Sequence, residues 1–198
     1  MLELILATGN THKAAELNAL LSGENVRLLT AADLENPPDV EEDRPTLRGN
    51  AEKKAKAWYH RYQKPVLADD TGLEVDALDG APGVHSARFA GPTATDAENR
   101  AHLKEKMRGH TVPDAQFRTV LAFVDENGTR FFEGVCRGEI IPEERGEHGF
   151  GYDALFVPKG YTHSFAELAP QEKNRISHRG RALRKFVAYL KSHRLAEN

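Results

Sequence analysis

The segment 117–136, FRTVLAFVDENGTRFFEGVC, constrains the fold of this 198-residue chain more than any other. Two runs rich in β-branched and aromatic residues flank Asn127-Gly128, a pair that favours the positive-φ turn of a β-hairpin. A hairpin pairs its strands antiparallel, whereas strands that alternate with helices usually pair parallel. The sequence therefore predicts an α/β fold with a mixed sheet, in a single domain spanning 1–198.

Apolar periodicity and capping residues predict the other elements. The predicted elements are a strand at 2–7, a Thr8-Gly9-Asn10 turn followed by a helix, a helix capped by Thr46, a strand at 65–68 ending in Asp69 and Asp70, a helix opened by Thr95 and Glu98 and ended by Gly109, the hairpin, a strand at 154–157 and a final helix capped by Ser177. Strands and helices alternate along this chain, which is typical of an α/β fold.

The composition excludes several classes of protein. No apolar run approaches the roughly 18 residues of a membrane helix, and the run LELILA is too short for a secretory signal. The only cysteine, Cys136, lies in a predicted strand and has no partner for a disulfide or a metal site, so we expect it to be structural. We expect a cytoplasmic protein with no membrane partner.

The net charge of -3 conceals an asymmetry. Residues 173–198 contain eight Lys or Arg against one acid, Glu197, which gives this segment +7 and the remainder -10. Such a segment can bind nucleic acid or nucleotide phosphates, or it can be the solvated face of a helix. Arg184, Lys185 and Lys191 follow the pattern of a solvated face, and the acidic remainder would repel a long polyanion. We therefore expect no nucleic-acid partner.

Cations occupy the predicted first turns of two helices, Lys13 in one and His178 and Arg179 in the other. A helix N-terminus carries partial positive charge, so a cation there costs up to about 1 kcal/mol unless an anion shares the site. A phosphate would offset that cost at both helices. The alternative is that the side chains turn into solvent, and the TGNTHK turn lacks the Gly-Lys-Ser/Thr ending of a P-loop.

Two adjacent carboxylates, Asp69 and Asp70, lie at the predicted end of the strand 65–68. They would repel a phosphate unless a divalent cation lay between them, and Mg²⁺ is the ion that prefers such oxygens. Acids of the segment 41–43 could complete this site, and one aspartate could take a proton from an attacking water. The alternative is a turn acid next to a helix-capping acid.

A third candidate segment is HGFGYDALF, in which glycines surround two aromatic residues. Phe150 could stack on a nucleobase, with Gly149 and Gly151 allowing close approach of the backbone. The alternative is that Phe150 and Tyr152 pack in the core.

Five segments together, in this order, resemble the non-standard purine nucleoside triphosphate pyrophosphatases, the inosine and xanthosine triphosphate pyrophosphatases. These are LATGNTHKAAEL, GNAEKKA, LADDTGLEVDALDGAPGVHSARFAG, GFGYDALF and EKNRISHRGRAL. The resemblance implies a long twisted mixed β-sheet with flanking helices, two lobes around a central nucleotide cleft, and a homodimer. It also implies Mg²⁺-dependent hydrolysis of ITP, dITP and XTP to the monophosphate and pyrophosphate, which removes them from the nucleotide pool.

The resemblance also implies roles for individual residues. Asp70 matches the general base and a metal ligand, and Glu41, preferred here to its neighbour Glu42, matches the second metal ligand. The substrate-binding positions are Thr8, Gly9, Asn10, Thr11, His12 and Lys13 for the triphosphate, Thr71, and Phe150, Gly151, Tyr152, Asp153, Lys173, His178 and Arg179 around the base, sugar and phosphates. Lys54 and Asp69 match supporting positions. A pyrophosphatase for other modified nucleotides remains the nearest alternative, and a phosphate- or nucleic-acid-binding module that uses the basic C-terminal segment is the alternative from another class.

Overall fold

The computed structural model describes residues 1–111 and 113–196 and contains a six-stranded sheet in the order β2-β1-β3-β4-β5-β6. The strands are β1 Leu2–Leu6, β2 Val26–Leu29, β3 Val66–Val75, β4 Asp114–Asp125, β5 Gly128–Ile140 and β6 Phe156–Pro158. The helices are α1 Thr11–Leu21, α2 Leu47–Tyr62, α3 Asp96–Lys106, α4 Pro170–Ile176 and α5 His178–Ala196. No described helix is long and apolar enough to cross a membrane.

The sheet is mixed, as the sequence predicts. Strand β1 pairs parallel with both β2 and β3, and β5 pairs antiparallel with β6. The predicted hairpin is formed by β4 and β5. Its left-handed residue is Gly128, at φ 109°, whereas Asn127 is not among the described residues with positive φ. Asp125 Oδ1 accepts a hydrogen bond of 2.9 Å from the Asn127 N–H, and only glycine adopts positive φ without steric cost.

Strand β3 corrects one prediction, because it does not end at Asp70 but continues to Val75. Leu73 and Val75 are fully buried in the core, which explains why the extended backbone persists. The Thr71-Gly72 pair resembles a turn signal, but Gly72 has another role. A Cβ at Gly72 would lie 2.5 Å from the carbonyl oxygen of Gly83, so the glycine permits a close backbone approach.

The end of the chain also differs from the prediction. A separate helix, α4, precedes α5, and Ser177 lies between them in extended backbone at φ -67° and ψ 160°. Ser177 directly precedes α5, at the predicted start of the final helix. The missed signal for α4 is Pro170, which occupies a first-turn position where proline is favoured.

The described chain divides into two compact units. Unit 1 consists of residues 1–70, 119–134 and the part from 179 onward, and unit 2 consists of 71–118 and 135–178. Both units contain apolar clusters of their own. Unit 1 contains two clusters, one that includes Leu6, Leu67 and Phe186 and another that includes Ala55, Trp58 and Val66. Unit 2 contains a cluster that includes Leu73, Phe117 and Phe156.

Two finer predictions about packing are confirmed. Cys136 is buried in the core of unit 2, as expected for a structural cysteine. Helix α2 is capped by Thr46, as predicted. Helical spacing also predicts one apolar face on this helix, formed by Leu47, Ala51, Ala55, Trp58 and Tyr62. The first four of these residues are buried, whereas Tyr62 is only partly buried.

Candidate active site

The loop before α1 follows the predicted strand-turn-helix pattern. Thr8 Oγ1 accepts a hydrogen bond from the Asn10 N–H at 3.1 Å, and Asn10 Oδ1 accepts one from the Lys13 N–H at 3.1 Å. Asn10 is therefore the N-cap of α1, and Lys13 lies in the first turn together with exposed Thr11 and His12. Apart from Gly9 itself and its chain neighbours Thr8 and Asn10, no described residue has an atom within 4 Å of the place that a Cβ would take at Gly9, so the protein leaves space beside this backbone.

The cations at the two helix starts share an anion that belongs to the protein itself. Lys13 Nζ lies 3.1 Å and Arg179 Nη2 lies 3.5 Å from Asp69 Oδ2, and Asp69 is fully buried. Burial would raise the pKa of Asp69, but the charges of Lys13, Arg179 and Lys54 outweigh burial and hold this pKa well below its usual range. The two helix starts therefore do not by themselves require a phosphate, because Asp69 offsets their charge.

Asp70 lies in a different environment from Asp69. Asn50 Nδ2 donates a hydrogen bond of 3.0 Å to Asp70 Oδ2. Burial, followed by the negative charge of Glu42, raises the pKa of Asp70 to about 6. Neighbouring residues of a strand point to opposite faces, so the expectation that both carboxylates converge on one point is wrong. Asp69 belongs to the cation cluster, and Asp70 is the carboxyl group beside a second acid.

Of the two adjacent glutamates, Glu42 is the one whose charge acts on Asp70. Lys54 forms an ion pair with Glu42 and donates a hydrogen bond of 3.1 Å to the carbonyl oxygen of Asp69. Burial would lower the pKa of Lys54, but the charges of Asp69 and Glu42 raise it. Glu41 is exposed, and its carbonyl oxygen accepts a hydrogen bond of 2.8 Å from Lys53 Nζ. The geometry favours Glu42 over Glu41 as the partner of Asp70.

The pair of Asp70 and Glu42 fits a hard divalent cation. Among residues 1–111 and 113–196, no group of three or more His, Cys, Asp or Glu side chains could enclose a metal ion. Mg²⁺ is commonly held by one or two carboxylates together with water and substrate phosphates, rather than by an all-protein cage. Asp70 and Glu42 match that donor set, because they are neighbouring carboxylates and the negative charge of Glu42 contributes to the raised pKa of Asp70.

In unit 2, the segment 150–153 forms a cluster with Lys173. Asp153 Oδ2 accepts hydrogen bonds from the Phe150 N–H at 2.9 Å and from Lys173 Nζ at 2.7 Å, and both charged side chains are buried. Lys173 Nζ lies 5.0 Å from the centroid of the Phe150 ring, within the range of a cation-π contact. Gly149 adopts φ 77°, and a Cβ at this position would collide with the Asp153 carboxylate. Glycine is therefore the residue that fits beside this cluster.

The aromatic residues around this cluster have different roles. Tyr152 packs in the core of unit 2 and donates a hydrogen bond of 2.7 Å to the Ser86 carbonyl oxygen, so the core alternative describes its ring. Burial raises the pKa of Tyr152. His178 is buried and stacks on Phe117, with ring centroids 4.6 Å apart. Phe150 is only partly buried, so its ring can contact a ligand.

The structure thus gathers the predicted residues into two groups, each within one unit. Unit 1 contains the 8–13 loop, Asp70, Glu42 and Arg179, and unit 2 contains the 150–153 segment, Lys173 and His178. Thr71, half-buried in β3, also belongs to unit 2. A cavity of about 180 Å³ in unit 2 is lined by Arg100, Glu144, residues 146–151, Asp153 and Ala154.

Sequence reasoning missed Asn50. It is buried, and besides its bond to Asp70 its Oδ1 accepts a hydrogen bond of 2.8 Å from the Arg44 N–H. A signal was present, because Asn50 stands between Leu47 and Ala51 on the buried face of α2, where a polar residue needs a partner.

Comparison with known proteins places the chain in a family. The model of the Ham1 family matches residues 4–189. The chain belongs to the Ham1 family. A dITP/XTP pyrophosphatase from Porphyromonas gingivalis is 47% identical over 96% of this chain and 98% of its own length. The family resemblance expected from the five motifs is confirmed.

Solved structures of Ham1 proteins agree with the fold. A HAM1 protein from Coxiella burnetii superposes with a TM-score of 0.89 at 40% identity, covering 97% of this chain and 100% of the other. The Staphylococcus aureus Ham1 protein gives a TM-score of 0.87 at 34% identity, covering 96% and 99%. The α/β architecture with a mixed sheet and flanking helices is therefore that of the Ham1 family.

Proposed function

We propose that this Ham1 family member hydrolyses non-standard purine nucleoside triphosphates (dITP, ITP and XTP) to the monophosphate and pyrophosphate, removing them from the nucleotide pool. The name of the similar protein from Porphyromonas gingivalis, a dITP/XTP pyrophosphatase, supports this substrate class. The observation that carries the mechanism is the buried Asp70, which accepts a hydrogen bond from Asn50 and lies near the charge of Glu42, in the unit that also holds Lys13.

The triphosphate would bind at the start of α1. The loop 8–13 presents backbone N–H groups at a helix N-terminus, where phosphate is favoured. The Lys13 ammonium group has three donors, so its contact with Asp69 leaves it able to donate to phosphate oxygens as well. The space beside Gly9 allows a phosphate to approach the backbone closely.

Asp70 and Glu42 would hold Mg²⁺. When bound, Mg²⁺ supplies charge neutralisation and polarisation of the phosphate oxygens. Lys54 orients Glu42 through its ion pair, and Asn50 orients Asp70 through its hydrogen bond. The support of these two carboxylates therefore comes from one helix, α2.

The chemical step that we propose is attack of water on the α-phosphorus. Asp70 takes the proton of the water, the new bond forms between the water oxygen and the α-phosphorus, and the bond from that phosphorus to the α,β-bridging oxygen breaks. Pyrophosphate leaves with the electron pair of the broken bond. Asp70 suits this role because it is buried and because the hydrogen bond from Asn50 Nδ2 to its Oδ2 fixes the orientation of the carboxylate.

We propose that the base contacts the partly exposed ring of Phe150, which Lys173 and Asp153 hold in place. Inosine and xanthosine have an oxygen at C6 where adenine has an amine. A donor at His178, which belongs to the same unit as Phe150, would favour that oxygen. Adenine would leave this donor without an acceptor, at about 1–3 kcal/mol for a buried group.

The test is product analysis by anion-exchange chromatography with dITP, ITP, XTP, GTP, ATP and other modified nucleotides, with Mg²⁺ or with chelator. We expect monophosphate and pyrophosphate only from the non-standard purines and only with metal. Asp70→Asn, which keeps an acceptor for Asn50, should lower kcat at least about 100-fold.

Glu42→Gln and Glu41→Gln form a matched pair at adjacent positions, and only the first should weaken activation by Mg²⁺. Release of the nucleoside diphosphate and inorganic phosphate would refute the proposed reaction. If another modified nucleotide were hydrolysed faster than dITP, ITP and XTP, that nucleotide would take their place as the proposed substrate.

We further propose that the enzyme is a homodimer, as the family resemblance implies. Sedimentation velocity should then give a species of twice the 22.0 kDa chain mass. A single species at the chain mass would contradict this.

A further inference from the structure

The backbone on either side of Phe150 has unusual freedom. Gly149 and Gly151 both adopt left-handed conformations, at φ 77° and 60°. Glycine has more accessible backbone conformations than any other residue, so a ring between two glycines keeps one position only if other contacts hold its backbone. Asp153 supplies one such contact at the Phe150 N–H.

A second set of contacts reaches Gly151 from helix α3. Asp96 Oδ2 accepts a hydrogen bond of 2.7 Å from the Gly151 N–H. Arg100 Nη1 donates a hydrogen bond of 2.9 Å to the Gly151 carbonyl oxygen. Asp96 and Arg100 are four residues apart and lie on the same side of α3. Side chains of one helix thus bind both the N–H and the carbonyl oxygen of Gly151. In sequence, Arg100 is 51 positions and Asp96 is 55 positions from Gly151.

Arg100 is itself held in position by Glu144. Its Nε lies 3.0 Å from Glu144 Oε2, which leaves Nη1 directed at Gly151. Lys104, one turn later, also contacts Glu144, at 3.3 Å from Oε1. Arg100 and Lys104 therefore share Glu144, but of these two Arg100 is the one that bonds to Gly151.

Helix α3 is firmly attached at its start. Thr95 and Glu98 form a capping box, as the sequence predicts. The buried Asn99 donates to the Ala87 carbonyl oxygen at 3.0 Å and accepts from the Ala90 N–H at 2.8 Å. Because the start of α3 is fixed in this way, Asp96 and Arg100 can hold the Gly151 backbone in one position.

We propose that Asp96 and Arg100 are positioning residues that set the Phe150 ring for base recognition. This inference rests on the proposed function, in which Phe150 contacts the base. Asp96 and Arg100 act through Gly151 and all their contacts named above lie in unit 2, whereas Asp70 and Lys13 lie in unit 1. Loss of either residue should therefore weaken base binding and discrimination more than the hydrolytic step.

The test compares steady-state kinetics of Asp96→Ala and Arg100→Met with the wild-type enzyme, using dITP and dATP. We expect KM for dITP to rise about five- to tenfold, the effect of one lost hydrogen bond, with kcat changed less than about twofold. The ratio of kcat/KM for dITP to kcat/KM for dATP should fall. Asp96→Asn keeps an oxygen that accepts from the Gly151 N–H, so it should retain the wild-type KM.

One further variant serves as a matched control. Lys104→Met loses a contact with Glu144, but it removes no bond to Gly151. It should leave KM for dITP within about twofold of wild type, since a partly exposed ion pair contributes little. An equal rise of KM in this control, or a fall of kcat at unchanged KM in Asp96→Ala, would overturn the proposal.

Amide hydrogen exchange at Gly151, followed by NMR, tests the same contacts without any nucleotide. Exchange should be about tenfold faster in Asp96→Ala than in wild type, Asp96→Asn or Lys104→Met. Unchanged exchange would overturn the positioning role even if dITP is hydrolysed. If the wild-type protein does not hydrolyse dITP but the exchange rates differ as expected, the proposed function is wrong, whereas the positioning of Gly151 by α3 is supported.

Discussion

At the scale of single residues, Asp69 and Asp70 illustrate how environment separates two identical side chains. The pKa of Asp69 lies well below its usual range because Lys13, Arg179 and Lys54 outweigh its burial. The pKa of Asp70 is raised to about 6 because burial and Glu42 outweigh the cations and its Asn50 hydrogen bond. Asp69 is therefore a permanent anion that holds cations, and Asp70 is a group able to exchange a proton near neutral pH.

A pH dependence of stability follows for the protein in chelator. Asp70 has a pKa of about 6 when folded, against 3.8 for an ordinary aspartate, so the folded state binds the extra proton between these values. Stability from this group is present below about pH 4 and is lost as pH rises through about 6, amounting to about 3 kcal/mol. Urea unfolding from pH 4 to 7.5 should show this loss in wild type and not in Asp70→Asn. Parallel curves for the two proteins would contradict the raised pKa.

At the scale of elements, helix α2 supplies the polar groups that support the candidate metal site. Asn50 and Lys54 are four residues apart and reach Asp70 and Glu42. The start of the helix is fixed by Thr46, whose Oγ1 accepts a hydrogen bond of 3.0 Å from the Gly49 N–H. The N-cap therefore sets the register of the turn that contains Asn50.

Loss of this cap should destabilise the protein measurably. Thr46→Ala should lower the free energy of unfolding by about 1 kcal/mol, because the Gly49 N–H loses its acceptor. Thr46→Ser keeps the hydroxyl and should recover most of that loss. Urea denaturation of the three proteins measures the effect, and equal midpoints for wild type and Thr46→Ala would contradict a role for the cap.

At the scale of the whole molecule, the charge of the basic C-terminal segment is partly offset by acids of the same protein. At least four of its eight lysines and arginines form ion pairs with acids in the same unit. The pairs are Lys173 with Asp153, Arg175 with Glu172, Arg179 with Glu16 and Asp69, and Lys191 with Glu24. Arg184, Lys185 and Lys191 are exposed on α5, as expected for a solvated face. A local excess of charge thus need not create a surface for a polyanion.

We accordingly expect no specific nucleic-acid binding. Fluorescence anisotropy with labelled single-stranded and duplex 20-mers should give only weak binding. The contrary result would be tight binding that falls steeply with salt, with a slope corresponding to several phosphate contacts. Arg184→Gln together with Lys185→Gln would then test whether the exposed face of α5 is responsible.

The sequence by itself determined the features that depend on neighbouring residues. Runs rich in β-branched and aromatic residues on either side of Asn127-Gly128 defined the hairpin, and helical spacing defined the buried face of α2. The first-turn position of Lys13 followed from the turn before α1. Five motifs in order were sufficient to identify the family. Turn chemistry and periodicity act within about one element of the chain, and the order of the motifs is read directly along the sequence, so neither signal requires the chain to be folded.

The tertiary structure alone decided which groups meet. Asn50 reaches Asp70 across 20 residues of sequence, and Asp96 reaches Gly151 across 55. The continuation of β3 through Asp70, which places the two aspartates on opposite faces, depended on the burial of Leu73. The choice of Glu42 over Glu41 depended on proximity to Asp70. Contacts between distant segments and the burial that shifts a pKa arise only when the chain is packed, so no local pattern records them.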